Sequence, residues 1–153
     1  MLATKIMRRS FATIRPTASL LDVVRLLLQT NQRGIPVLDK DENLVGIVCE
    51  GDLLHRDELG VAPPAGNWLE ELLGIEEDGP ARQRMRTMNV ATIMTRDPVC
   101  VDENASVNDV IKAMDRRRVA QIPIVRAGKV IGIVSRFELL VALERKLMPF
   151  EER

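Results

Sequence analysis

Tyrosine is missing from this 153-residue sequence, and its other aromatics are three Phe and one Trp (Trp68), 3% of the chain. A core has to be built without them, from Val, Ile, Leu, Ala and Met. The same shortage argues against binding single-stranded nucleic acid by base stacking. Excess charge is missing too: 22 basic residues face 22 acidic ones. Non-specific DNA or RNA binding draws on a surplus of Lys and Arg, so nucleic acid is not an expected partner. No apolar run approaches the roughly 18 to 20 residues needed to cross a bilayer. The opening Met-Leu-Ala-Thr-Lys-Ile-Met-Arg-Arg lacks a signal core of about 7 to 15 apolar residues. A cytoplasmic chain with no membrane partner is the expectation. Cys49 and Cys100 lie far apart and outside any CxxC pair, which argues against a disulfide scaffold and a zinc site. His55 is the single histidine, so a Ser-His-Asp arrangement would hang on one residue. Neither GxGxxG, nor a phosphate-binding P-loop, nor a GxSxG elbow occurs. No catalytic residue, catalytic cofactor or metal site is assigned, and the chain is expected not to be an enzyme.

What is present is an ordinary globular balance, 46% hydrophobic and 29% charged, and an internal repeat. An offset of 87 superimposes Ile6-Met7 on Ile93-Met94, Arg9 on Arg96, and Ala18-Ser19 on Ala105-Ser106. It also places Asp22-Val23 on Asp109-Val110 and Ile35-Pro36 on Ile122-Pro123. After one deletion the offset is 86, and Gly46-Ile47-Val48 match Gly132-Ile133-Val134, with Leu53-Leu54 on Leu139-Leu140. Fourteen identities over about 49 positions exceed chance several-fold for this composition.

Each copy reads as β-α-β-β-α. A short strand (11–14; 99–101) leads to a helix opened by a capping box, Ser19-x-x-Asp22 or Ser106-x-x-Asp109. The apolar stripe is Leu20, Val23, Val24, Leu27 in one helix and Val107, Val110, Ile111, Met114 in the other, the spacing of one buried face. Two apolar runs follow, 35–38 and 44–48, then 122–125 and 130–134, each pair joined by a polar turn. A second helix begins near Asp52 and near Glu138. The organisation is 1–56 for the first repeat, 57–89 for a spacer, 90–147 for the second repeat and 148–153 for a tail. The spacer is too long for a structureless loop. Its 67–74 segment, with Trp68, reads as a short capped helix, and Pro80 as the start of a basic one with Arg82, Arg84 and Arg86.

Ile-Met ahead of the first strand, the apolar-Pro step and the Gly-Ile-Val strand recur in the same order in both copies. Together they resemble a tandem pair of cystathionine-β-synthase (CBS) domains, a Bateman module. The resemblance implies an α/β (α+β) fold of two repeats packed through their sheets as a pseudo-twofold pair with two clefts. It implies an adenosine-containing regulatory ligand (AMP, ADP, ATP, S-adenosylmethionine or NAD), pairing into a homodimer, and a sensing role, such as energy sensing, that acts on an effector protein.

Site residues follow from the same resemblance. Asp52 matches the acid that accepts the ribose hydroxyls, with Cys49 standing where Ser or Thr is usual. Arg33 is placed to meet phosphate, beside Gly34, Ile35 and Pro36. Val90, Ala91, Ala120 and Gln121 match the adenine slot of that cleft. In the second cleft Ser135 keeps the hydroxyl, Glu138 replaces Asp, and Arg118 is the basic match. Ala3, Thr4 and the 33–34 stretch match its adenine slot, next to Ile122 and Pro123. The Asp52 cleft is favoured.

Plainer readings stand beside these. Asp52 also fits a helix N-cap. Arg116, Arg117 and Arg118 suit the negative end of a helix dipole. Cys49 reads as a small buried residue, His55 as a surface or partner-facing residue, and Met7 and Met94 as packing groups. For the whole chain the alternative is a structural dimerisation module without a ligand.

Overall fold

The computed structural model describes residues 1–54, 83 and 86–149. His55, the 67–74 segment with Trp68, Arg82, Arg84 and the last residues of the tail lie outside the described residues. Gln83, Arg86 and Thr87 are helical. The fold is mixed α and β, with two compact units whose cuts do not fall at the repeat boundaries. One unit runs Ala12–Pro98; the other combines Met1–Phe11 with Val99–Arg153.

In the contiguous unit, Ser19 opens α1 (Leu20–Thr30) with the expected capping box. Its hydroxyl accepts the Asp22 N–H at 3.1 Å, and the Asp22 carboxylate accepts the Ser19 N–H at 3.0 Å. That backbone bond, then the hydroxyl, holds the Asp22 carboxyl below its ordinary pKa. β1 (Gly34–Leu38), β2 (Leu44–Cys49) and β3 (Thr95–Arg96) form an antiparallel sheet in that order. The strand expected at 11–14 contracts to one parallel bridge from Ile14 to Val37. The reason is Gln32, whose buried amide accepts the Ala12 N–H at 2.6 Å and donates to the carbonyls of Ala12 and Gly34. A side chain thereby satisfies backbone groups that a ladder would otherwise use. α2 (Glu50–Leu54) follows β2 directly, and α3 (Val90–Ile93) precedes β3.

The second unit repeats this plan. A 3-10 turn (Ala3–Lys5) stands where α3 stands in the first. β4 (Val101–Asp102) pairs in parallel with β5 (Gln121–Arg126), which pairs antiparallel with β6 (Lys129–Ser135). Arg8 closes the far edge by exchanging hydrogen bonds with Ile133, 2.8 and 3.0 Å. α4 (Val107–Arg117) has the Ser106–Asp109 capping box, and α5 (Arg136–Leu147) follows β6. The strand expected at 99–101 therefore lies at 101–102.

Each core is aliphatic, as the composition requires. Val23, Ile35, Val37, Val48, Val90 and Ile93 are wholly buried in one unit, and Val110, Ile122, Ile124 and Val134 in the other. The helical stripes are narrower than the spacing predicts. Val24 and Ile111 are exposed, because each sits about 100° around the helix from the buried Val23 or Val110.

The leading segment of each repeat belongs to the other repeat's core. Met94 packs on Gly46 of β2, and Met7 packs on Gly132 of β6. The recurring Ile-Met and Gly-Ile-Val marks are thus two halves of one contact, made crosswise.

The β5–β6 hairpin turns through Ala127 (φ 50°) and Gly128 (φ 80°). Positive φ at both central residues is the type I′ geometry, which suits Asn-Gly far better than Ala-Gly. Ala127→Asn is expected to stabilise the protein by about 0.5–1 kcal/mol, read as a rise in thermal midpoint. An unchanged or lower midpoint would contradict the turn assignment.

Candidate functional site

The expected ligand-facing acids are parts of capping boxes. In the second unit Ser135 is the N-cap of α5, and Glu138 occupies the third helical position. One oxygen of Glu138 accepts both the Ser135 N–H at 2.6 Å and its hydroxyl at 2.8 Å. In the contiguous unit the same reach is made by Asp52, whose Oδ2 accepts the Cys49 N–H at 2.7 Å. Asp52 is therefore the third residue of its helix, a correction to the N-cap reading. Cys49 has no hydroxyl to return the bond, so this box is half made. The second helices also begin earlier than expected, at Glu50 and Arg136.

Asp52's other oxygen, Oδ1, accepts the Thr95 hydroxyl at 3.4 Å. Thr95 lies on β3, in register with Ile47 of β2, and sequence reading did not single it out. Its two-residue strand is too short to show an alternating pattern. Arg33, just ahead of β1, donates from Nη1 to Glu50 Oε1 at 3.0 Å. The register explains the pair: Gly34 opposes Cys49, so the next residues outward, Arg33 and Glu50, face one another across the strand ends. Both side chains are about 60% exposed (60% and 59%), so the pair contributes only about 0–1 kcal/mol. Cys49 itself is half-buried. Burial first, then the Asp52 and Glu50 carboxylates, push its thiol up to about 12. At neutral pH it stays protonated, a poor nucleophile and a poor redox switch.

Other expected site residues are distributed between the units. Val90 and Ala91 share a unit with Asp52, Cys49, Arg33 and Gly34. Val90's side chain is wholly buried, and the N–H groups of Val90 and Ala91 donate to the carbonyls of Ala18 and Pro16, both at 2.9 Å. Ala120 and Gln121 belong to the other unit, with Ala3, Thr4, Arg118, Ser135 and Glu138. Gln121 is buried there. Ile35, Pro36, Ile122 and Pro123 are buried strand residues, which puts the apolar-Pro step into packing. Arg118 takes the left-handed C-cap of α4 (φ 52°), as Asn31 does for α1 (φ 57°).

Among the described residues, two open grooves lie away from these acids. One, of about 550 Å³, runs between Thr13–Ala18 and the Asp22, Arg25, Leu26, Gln29 face of α1. The other, of about 470 Å³, follows Leu140, Leu143 and Leu147 on α5. No described helix is long and apolar enough to cross a membrane, and no metal-holding cluster of three or more His, Cys, Asp or Glu occurs among the described residues.

Comparison with known proteins bears on both units. The CBS domain family model matches residues 3–58 and 90–145. An uncharacterized protein of Methanocaldococcus jannaschii, MJ1426, is 34% identical over 135 residues, 81% of this chain and 80% of that protein. The Arabidopsis thaliana chloroplastic protein CBSX1, a CBS domain-containing protein, is 28% identical over 80% of this chain, which spans 55% of its length. The crystal structure of CBSX2 in complex with AMP superimposes with a TM-score of 0.73 at 25% identity, covering 96% of this chain and 99% of that one.

Proposed function

The chain belongs to the CBS domain family, twice over, and from that premise we propose that it is a non-catalytic regulatory module whose Asp52 site binds an adenosine-containing ligand. The observation that carries this reading is the likeness, over nearly the full length, to a chain bound to AMP. The geometry supports it. Asp52's carboxylate is held by the Cys49 N–H and the Thr95 hydroxyl, so it is oriented before a ribose diol arrives. A carboxylate is the natural acceptor for two hydroxyls, with charge-assisted bonds. Arg33 stands at the end of the same hairpin, where it pairs with Glu50 beside the site. The Glu138 site is the weaker of the two in this reading, because its acid is one methylene longer than the aspartate that the resemblance calls for.

Occupancy would be reported to a separate effector protein by shifting the module's conformational balance. Two copies would pair, and the exposed row Phe137, Leu140, Leu143 and Leu147 on α5 offers apolar area for that. A cytoplasmic setting fits this role.

Thermal melting with AMP, ADP, ATP, S-adenosylmethionine and NAD tests the proposal. Ligand at about 100 times its dissociation constant should add about 2.7 kcal/mol of stability. Asp52→Asn keeps an acceptor for Cys49 but removes the charge, and should weaken binding by about 10- to 100-fold, the worth of charged hydrogen bonds. No stabilisation by any of the five would leave the purely structural dimerisation module. Unchanged affinity in Asp52→Asn would move the site elsewhere.

A further inference from the structure

The two repeats carry opposite charges at one structurally equivalent pair of positions. Beyond the end of the β1–β2 ladder stand Arg33 and Glu50, flanking the Gly34–Cys49 pair. Beyond the end of the β5–β6 ladder, flanking Gln121–Ser135, stand Ala120 and Arg136. The first pair is closed into an ion pair at 3.0 Å; the second holds a cation opposite an alanine. We infer that Glu50 sets the charge of the ligand accepted beside Asp52. Its carboxylate occupies the Arg33 guanidinium, so the site favours an adenosine ligand whose 5′ substituent is uncharged or cationic over one carrying several phosphates. This rests on the reading of Asp52 as the ribose acid.

The local charges agree. Asp52 and Glu50 both lie near enough to Cys49 to disfavour its thiolate, which marks the mouth of the site as negative. Arg33 is the cation that the hairpin brings to them. Arg96, the nearby cation on β3, follows Thr95 and so leaves the strand on the opposite face; it reaches the Ala91 carbonyl at 3.5 Å. A phosphate arriving at Arg33 must take the place of Glu50 and then sit beside two carboxylates. A thioether, a hydroxyl or a sulfonium meets no such repulsion, and a sulfonium gains from it. Because the Arg33–Glu50 pair is exposed, it acts as a selective toll on charge and not as a closed gate.

Calorimetric titration of the full chain with adenosine, AMP, ATP and S-adenosylmethionine decides the matter, in wild type and Glu50→Gln. The substitution is on the surface and leaves the backbone pairing intact. It is expected to tighten AMP by about fivefold and ATP by more, the effect of removing one exposed like charge. S-adenosylmethionine should weaken by about the same factor, while adenosine stays within about twofold. These changes should shrink in high salt. A common shift for all four ligands, or none, would overturn the charge selection and leave the Asp52 site standing. Binding of none of the four to wild type would overturn both. In Asp52→Asn all four ligands should weaken by about 10- to 100-fold, and unchanged affinities there would place the binding site elsewhere.

Discussion

Gly132→Ala should cost about 3 kcal/mol, near the upper end for forcing extra volume into a packed interior. A Cβ at this position would lie 2.3 Å from Met7 Sδ, 2.6 Å from its Cγ and 3.0 Å from its Cβ. The sulfur alone could swing aside, since methionine is adaptable. The Cβ cannot, because Arg8 is tied to Ile133 by two backbone hydrogen bonds and fixes the chain immediately after Met7. In a chain of this length the change lowers the thermal midpoint by roughly 6–12 °C. Met7→Ala on its own should cost about 2–4 kcal/mol by leaving a cavity. The double variant should show strong coupling, with Gly132→Ala costing about 1 kcal/mol or less once the longer side chain is gone. Additive costs would mean that Met7 and Gly132 do not meet.

Removal of residues 1–9 should be harsher still, about 5 kcal/mol, comparable with the whole stability of many small domains. It takes the buried Ala3 and Met7 out of a core otherwise made of residues beyond 98. It also deletes the Ala3 N–H to Ala105 carbonyl bond, the Val107 N–H to Met1 carbonyl bond and the Arg8–Ile133 pair. The informative measurement is amide hydrogen exchange, residue by residue. Protection should collapse in β5 and β6 and persist in β1 and β2, although the missing segment belongs to the first repeat in sequence. Loss confined to β1 and β2 would refute the crosswise assignment of the leading segments.

Much of this architecture is legible in the residues. The capping boxes at Ser19 and Ser106, the two hairpins and the duplication need only local patterns. The crosswise exchange does not follow from them, because a repeat shows which segments are alike and not which ones touch. A signal was nevertheless present: Met7, Met94, Gly46 and Gly132 all recur, and a glycine in a buried strand marks a close approach by something. Asp52, as the acid after the Gly-Ile-Val strand, is where the sequence places it. Its setting is not legible, since Thr95 arrives from a two-residue strand and Glu50 meets Arg33 only through the hairpin register. The 11–14 strand failed for a reason that propensity ignores, a glutamine amide standing in for a neighbouring strand. The same capping-box chemistry that operates at Ser19 and Ser106 also governs Ser135 and Glu138.

The division into Ala12–Pro98 and Met1–Phe11 with Val99–Arg153 also sets an order of events during synthesis. The contiguous unit has all its described strands once residue 98 has left the ribosome, and it can close while translation continues. Residues 1–11 are made before any of it, yet their partner strand β6 emerges only after the whole contiguous unit. Met7 must wait, unpaired, until Gly132 emerges about 125 residues later. Their final contact closes a loop of about 125 residues, which makes it a slow step in assembling the fold.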